Sequence, residues 1–207
     1  MATGPRPVTV VNYYTSQDPY PKYAAKLRES CAALKVPCMS VELKDTGRWV
    51  SNCAIKGPFM LNCMRILSRP ILWIDADAEL KKRPDLLRDI EVDFGVYSFG
   101  GERKRKACGR VVNLPDDWPD PPKWFNSGTI FINNTLGGMD LLYKWAHLCR
   151  LDDGQWDQWT LQQAWCDIRP STVWLPQSWC AIKGRCKGDP VVFHHLASTT
   201  QKGIDRG

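Results

Sequence analysis

The chain has no apolar run approaching the roughly 20 residues that cross a bilayer, which excludes a transmembrane helix. Its start, Met-Ala-Thr-Gly-Pro-Arg-Pro, runs into Val8-Thr-Val-Val11 without the charged region, long apolar stretch and small-residue cleavage site of a signal peptide. Export is not expected, and a cytoplasmic protein is. Internal repeats, low-complexity tracts and Gly/Ser linkers are also missing, so residues 1–207 are read as one domain. No C-x-x-C occurs among the nine cysteines, and the spacing of Cys180, Cys186, His194 and His195 fits no common zinc module. Reduced thiols acting as small hydrophobes are the simpler reading.

What is present is an ordinary globular composition, 43% hydrophobic and 24% charged, in a chain long enough to bury a substantial core. The net charge of +6 suggests an acidic partner, such as a nucleotide diphosphate, a polyanionic acceptor or both.

Apolar patterning sets out the elements. Pro7-Val-Thr-Val-Val-Asn-Tyr-Tyr14 reads as a first strand. Tyr23, Leu27, Cys31 and Leu34 fall at helical spacing within residues 22–35. A weak strand is expected at 41–43, then a helix opened by Pro58 that buries Phe59, Cys63, Ile66 and Leu67. Ile71-Leu-Trp-Ile74 is the clearest strand; four apolar residues in a row mean burial on both faces, as in a central parallel strand. Further strands are expected at 92–99, 128–132, 172–175 and 191–195, with helices after Gly137-Gly138 and over 156–166. Strands alternating with helices predict an α/β fold, with a mixed, mostly parallel sheet flanked by helices.

The central strand stops abruptly in charge, Asp75-Ala76-Asp77. Ligands of open α/β sheets bind beyond the carboxyl ends of the strands. Residues two apart in an extended chain point the same way, and two adjacent carboxylates repel unless a cation lies between them or one takes up a proton. Mg2+ or Mn2+ suits carboxylates plus substrate phosphate oxygens, and would offset charge on a departing diphosphate. Solvation of a strand end is the plainer alternative for any D-x-D taken alone.

Four segments in order resemble a GT-A-fold nucleotide-diphospho-sugar glycosyltransferase, closest in motif order to the family 8-like transferases. They are Ile71-Leu-Trp-Ile-Asp-Ala-Asp-Ala78, Trp124-Phe-Asn-Ser-Gly-Thr-Ile-Phe-Ile-Asn133, Asp157-Gln158 with Leu161, and Val191-Val-Phe-His-His195. The resemblance spans roughly residues 8 to 200. It implies metal binding by Asp75, Asp77 and a histidine, with the motif's two preceding apolar residues selecting His194. The aromatic and glycine that usually follow are replaced by His195 and Ala197.

The resemblance further implies donor binding by Tyr13, Tyr14, Thr15, Lys56, Asp75, Ala76, Asn126, Ser127 and Gly128. Aromatic stacking on a base, a lysine point charge on phosphate, and glycine permitting close approach give those residue types their sense. Asp157 and Gln158 would sit beneath the anomeric carbon as the catalytic pair. A helix start is the competing reading of Asp157, a turn that of Asn126-Ser127-Gly128, and an exposed surface position that of Lys56.

The implied activity is metal-dependent transfer from a nucleotide-diphosphate donor, a UDP-sugar, to an acceptor. Arg103-Lys-Arg-Lys106 and the positive charge suit an acceptor in DNA, a hydroxylated base as in phage DNA modification, with a solvated loop the plainer reading of such a charge run. A non-catalytic, basic nucleic-acid-binding protein is the alternative. Among the ten tryptophans, Trp118, Trp124, Trp156, Trp159 and Trp179 are expected near loops that rim a cleft.

Overall fold

The computed structural model describes residues 7–88, 90–99, 124–182 and 188–196. The basic stretch at 103–106, Trp118 and Cys186 lie outside these residues.

Six strands form the main sheet: β1 (Thr9–Thr15), β2 (Cys38–Leu43), β3 (Ile71–Ile74), β5 (Phe94–Phe99), β6 (Trp124–Ile132) and β7 (Thr172–Leu175). Their order is β2-β1-β3-β6-β5-β7. Strand β1 is parallel to both β2 and β3, and β5 to β7, whereas β6 runs antiparallel to its neighbours β3 and β5. The sheet is therefore mixed, with one reversed strand in its middle. All four residues of β3 are buried, as its unbroken apolar run requires.

Helices α3 (Lys56–Leu67), α4 (Leu136–Leu151) and α5 (Asp157–Ile168) cover one face of the sheet. Val11, Trp73, Ile130 and Ile132 meet Met60, Leu142, Trp145 and Leu161 in that core. The other face carries α1 (Tyr20–Ala33) and a second sheet of β4 (Ala78–Leu80), β8 (Ala181–Ile182) and β9 (Val192–His194), in the order β4-β9-β8. Val10, Leu72, Ile74 and Phe131 pack there against Leu27, Cys31, Leu80 and Val192. No helix among the described residues is long and apolar enough to cross a membrane.

Several expectations need correcting. The helix opened by Pro58 starts two residues earlier, at Lys56, behind a short helix α2 (Trp49–Ala54). Ile66 is 71% exposed and belongs to no buried face. Gly137 and Gly138 lie inside α4, not before it. Asn126, Ser127 and Gly128 form no tight turn but belong to β6. Their strand is irregular: Val96 pairs with Ile130 and Tyr97 with Asn126, so the β5 ladder skips Ser127, Gly128 and Thr129. The second sheet was not expected at all.

Candidate active site

Asp75 follows the last residue of β3, at the carboxyl edge of the sheet. Because β6 is reversed, its first half arrives at that same edge. The amide of Asp75 donates to the carbonyl of Gly128 at 2.9 Å. Asn126 Oδ1 in turn accepts from the Gly128 amide at 2.7 Å.

The acidic pair is not on an extended strand. Asp75-Ala76-Asp77 is a turn, closed by the amide of Ala78 on the carbonyl of Asp75 at 3.1 Å. Alternation of side chains along a strand therefore does not bring these two carboxylates together. What joins the two acids to a histidine is the small sheet. Ala78 of β4 pairs with His194 of β9, and the His195 amide donates to the Asp77 carbonyl at 2.8 Å. As a result one ligand-type atom each from Asp75, Asp77 and His194 lies within 4.8 Å of the others. Adjacent strand residues face opposite ways, and His195 accordingly turns to Glu79 Oε1 at 2.6 Å and stacks on Tyr23.

Lys56 in the first turn of α3 is 4% exposed, so the surface reading fails. Its ammonium lies 3.0 Å from Asp75 Oδ1 and 2.7 Å from Asp157 Oδ2, and donates to the Ser127 carbonyl at 3.0 Å. A buried lysine so placed ties three elements together and spends its charge on two carboxylates. Burial disfavours its charged form, but Asp157 and then Asp75 outweigh it and hold the ammonium above the ordinary lysine value. Burial would likewise raise Asp75, yet Lys56 beside it keeps its carboxyl below the ordinary value. The Trp73 indole also donates to Asp75 Oδ1, at 2.8 Å.

Burial pushes His194 down to about 4, which leaves a neutral imidazole at physiological pH. Thr129 Oγ1 bonds its Nε2 at 2.9 Å. A neutral imidazole and two carboxylates form a donor set fit for a divalent cation. The floor is also cut back for it. A Cβ on Gly128 would lie 2.8 Å from Asn126 Oδ1, 2.9 Å from His194 Cε1 and 3.2 Å from Asp75 Oδ2.

These groups share one cleft of about 220 Å³. It brings together every candidate read from the sequence: Tyr13, Tyr14, Thr15, Lys56, Asp75, Ala76, Asp77, Asn126, Ser127, Gly128, Asp157, Gln158 and His194. Asp157 stands in the first turn of α5, as the helix-start reading has it, and also lines the cleft. Tyr13 is mostly a packing residue: its ring lies against Phe59 and Trp73, and its hydroxyl donates to the Asn52 carbonyl.

Sequence reasoning missed Tyr20, Trp49, Asn52, Cys53, Ile182 and Leu196, which line the same cleft. Trp49 meets Trp156 edge to face at 6.0 Å. Of the expected rim tryptophans, Trp156 lines the cleft, Trp124 and Trp159 pack on each other, and Trp179 is core at 3% exposure. The only trace of the missed aromatics in the sequence is their abundance near the starts of helices.

No protein-family model matches the sequence, and no curated protein matches it either. Solved structures do match. A glycosyltransferase involved in glycosylation of the major capsid of PBCV-1 superposes with a TM-score of 0.67 at 11% identity, over 98% of this chain and 100% of that one. This chain has a GT-A glycosyltransferase fold. Mouse xyloside xylosyltransferase 1 matches with a TM-score of 0.53 at 14% identity, over 93% of this chain and 98% of its own. The galactosyltransferase LgtC, solved with donor and acceptor sugar analogs, gives 0.55 at 12% identity, over 92% and 87%. At these identities the GT-A likeness is one of fold. In this chain's own sheet the acidic turn follows β3, at the edge where α/β sheets take their ligands.

Proposed function

We propose that this protein is a metal-dependent glycosyltransferase that moves a sugar from a nucleotide-diphosphate donor, a UDP-sugar, to an acceptor, with residues 1–207 acting as one domain. The observation that carries the proposal is the convergence of Asp75, Asp77 and His194 beside the buried Lys56–Asp157 pair, in one cleft of a glycosyltransferase fold. Asp75, Asp77 and His194 would hold Mn2+ or Mg2+. When bound, the ion supplies positive charge opposite the diphosphate leaving group.

The remaining chemistry falls to the chain's own residues. Ser127 and Gly128 form the wall against which the donor sugar packs, and Asn126 keeps the Gly128 amide in place. Asp157 and Gln158 turn oxygen atoms toward the anomeric carbon, where positive charge develops as its bond to phosphate lengthens. Lys56 does not bind phosphate in this scheme. It fixes the Asp157 carboxylate and neutralises part of the acidic cluster. Tyr14 and Thr15 border the nucleoside. We place the protein in the cytoplasm, a reading supported by its free cysteines, which stay reduced there.

The test is nucleotide release from a panel of nucleotide-sugars with Mn2+. Release abolished by Asp77→Ala and by chelation supports the enzyme. Release indifferent to both overturns it.

For the acceptor we propose a hydroxylated base in DNA, a reading supported by the +6 charge and Arg103-Lys-Arg-Lys106. A base inside a duplex would have to be flipped out to reach the cleft. Binding to duplex DNA should weaken steeply between low and high salt. DNA binding that ignores Asp77→Ala and chelation, with no nucleotide release, would favour the non-catalytic alternative.

A further inference from the structure

Trp145 is fully buried on α4 and does not line the cleft, yet its indole bonds the main chain of Asp157 and lies close against Gly57, the neighbour of Lys56. Its indole N–H donates to the main-chain oxygen of Asp157 at 3.1 Å and to Thr160 Oγ1 at 3.0 Å. The Thr160 hydroxyl donates to that same oxygen at 3.1 Å, which closes a three-membered ring of bonds around the first turn of α5. Cys149 Sγ, one turn along α4, touches Thr160 Oγ1 at 3.2 Å.

The indole's carbon edge faces the start of α3. A Cβ on Gly57 would lie 3.1 Å from Trp145 Cδ2, 3.2 Å from its Cγ and 3.3 Å from the Ala146 amide. Glycine at 57 therefore lets α3 approach α4 closely, and its chain neighbour is Lys56. One rigid, planar side chain sets the spacing of two helix starts. Those starts carry the ammonium and carboxylate found 2.7 Å apart.

We infer that Trp145 is a positioning residue: together with Gly57 and Thr160 it holds the Asp157 carboxylate in register with Lys56 and hence with the reacting carbon. This rests on the proposed transfer reaction, in which Asp157 stands beneath the anomeric centre. An aspartate has only two side-chain torsions, so a shift of its backbone passes almost undiminished to the carboxylate. Misplacement of a reacting group by about 1 Å can cost on the order of a hundredfold in rate. The metal ligands have their own backbone supports, the turn after β3 and the β4–β9 ladder, and meet this assembly only where Lys56 reaches Asp75. Loss of the indole bond should therefore spare them.

The experiment compares Trp145→Phe, Thr160→Val and Thr160→Ser with a matched control, Trp165→Phe. Trp165 also donates its indole N–H to a threonine hydroxyl, Thr172 Oγ1 at 2.8 Å, with no bond to Asp157. Nucleotide release from the best donor is measured with Mn2+, together with donor KM, Mn2+ affinity and thermal midpoint. Trp145→Phe and Thr160→Val should lower kcat about tenfold or more. Donor KM and Mn2+ affinity should stay within about twofold, as for loss of an interaction made only in the transition state. Thr160→Ser should retain activity, and Trp165→Phe should lose stability without losing kcat.

Equal kcat losses in Trp145→Phe and Trp165→Phe, or a parallel fall in Mn2+ affinity, would reduce Trp145 to a core residue and overturn the inference. An unaltered kcat in Trp145→Phe, with release still lost in Asp77→Ala, sinks this inference and leaves the transferase standing. No release by the unaltered protein from any donor sinks both.

Discussion

The main-chain amide of His195 donates to the carbonyl oxygen of Asp77, so two segments more than a hundred residues apart are joined by backbone at the metal-type cluster. The ladder leaves His194 facing Asp75 and turns His195 toward Glu79. His194→Ala should therefore lower Mn2+ affinity roughly 10-fold or more, on the scale seen when the surroundings of a metal ligand are lost. His195→Ala should change it by less than about threefold, since its side chain bonds Glu79 and is not one of the ligand-supporting partners whose loss is costly, and its backbone amide keeps the bond to Asp77. Titration calorimetry on both variants checks this. Equal losses would mean that the two side chains share the ion.

Lys56 is the cation between two carboxylates, and removing it leaves Asp157 buried without its counter-charge. Lys56→Met should cost roughly 3–5 kcal/mol of unfolding free energy, the range for breaking a buried pair from one side. Adding Asp157→Asn should recover part of that loss, because the stranded charge is then gone. Denaturant unfolding of the single and double variants measures the coupling. Additive losses would show that the pair is not an energetic unit.

Much of this architecture is legible in the residues. Ile71-Leu-Trp-Ile74 announces a central strand because burial on both faces leaves no room for alternation. The carboxylates after it announce a site because nothing in a core accommodates them. The helices over Leu141–Cys149 and Trp156–Cys166 follow from apolar spacing. By contrast, β4 and β8 are three and two residues long, too short for any period to register, and the strand expected at 191–195 (β9) carries no sign of its partners. They exist through pairing across the chain, and with them goes the reason His194 meets Asp75. Lys56 looked like any surface lysine because its partners lie far along the sequence. Ile66 looked like a core residue because hydropathy does not say which side of a helix faces solvent at its last turn.

Asp93 precedes β5 and ties together three parts of the fold. Its carboxylate accepts from Thr135 Oγ1 at 2.6 Å, the Ser171 amide at 2.9 Å and Ser171 Oγ at 2.7 Å. Thr135 in turn caps α4 by accepting from the Gly138 amide at 3.1 Å. Burial alone would raise this carboxyl, but the Thr135 and Ser171 bonds hold it below the ordinary value. The folded state thus binds a proton less readily than the unfolded chain. The resulting stability is complete above the ordinary carboxylate range and is lost as pH falls through the depressed folded value. Asp93→Ala should cost about 1–3 kcal/mol near neutral pH, from hydrogen bonds to a charged group. The gap between variant and unaltered protein should narrow in acid. A gap constant across the acid range would contradict the assignment.

Gly128 supplies the sharpest separation of fold from site. Its φ is not in the left-handed region, so alanine brings no backbone strain there. The added methyl carbon would instead stand 2.8–3.2 Å from atoms of Asn126, His194 and Asp75, beside the proposed cation ligands. Contacts that short must push those side chains apart, and all three belong to the cleft rather than to the core. Gly128→Ala should keep its thermal midpoint within a few degrees, a shift corresponding to about 1 kcal/mol or less. Its Mn2+ affinity and nucleotide release should fall at least tenfold, since the donor atoms no longer converge. Calorimetry with Mn2+ alone separates loss of the metal site from loss of the sugar wall. Full Mn2+ affinity in a folded Gly128→Ala protein would show that the acids and His194 do not form the ion's seat.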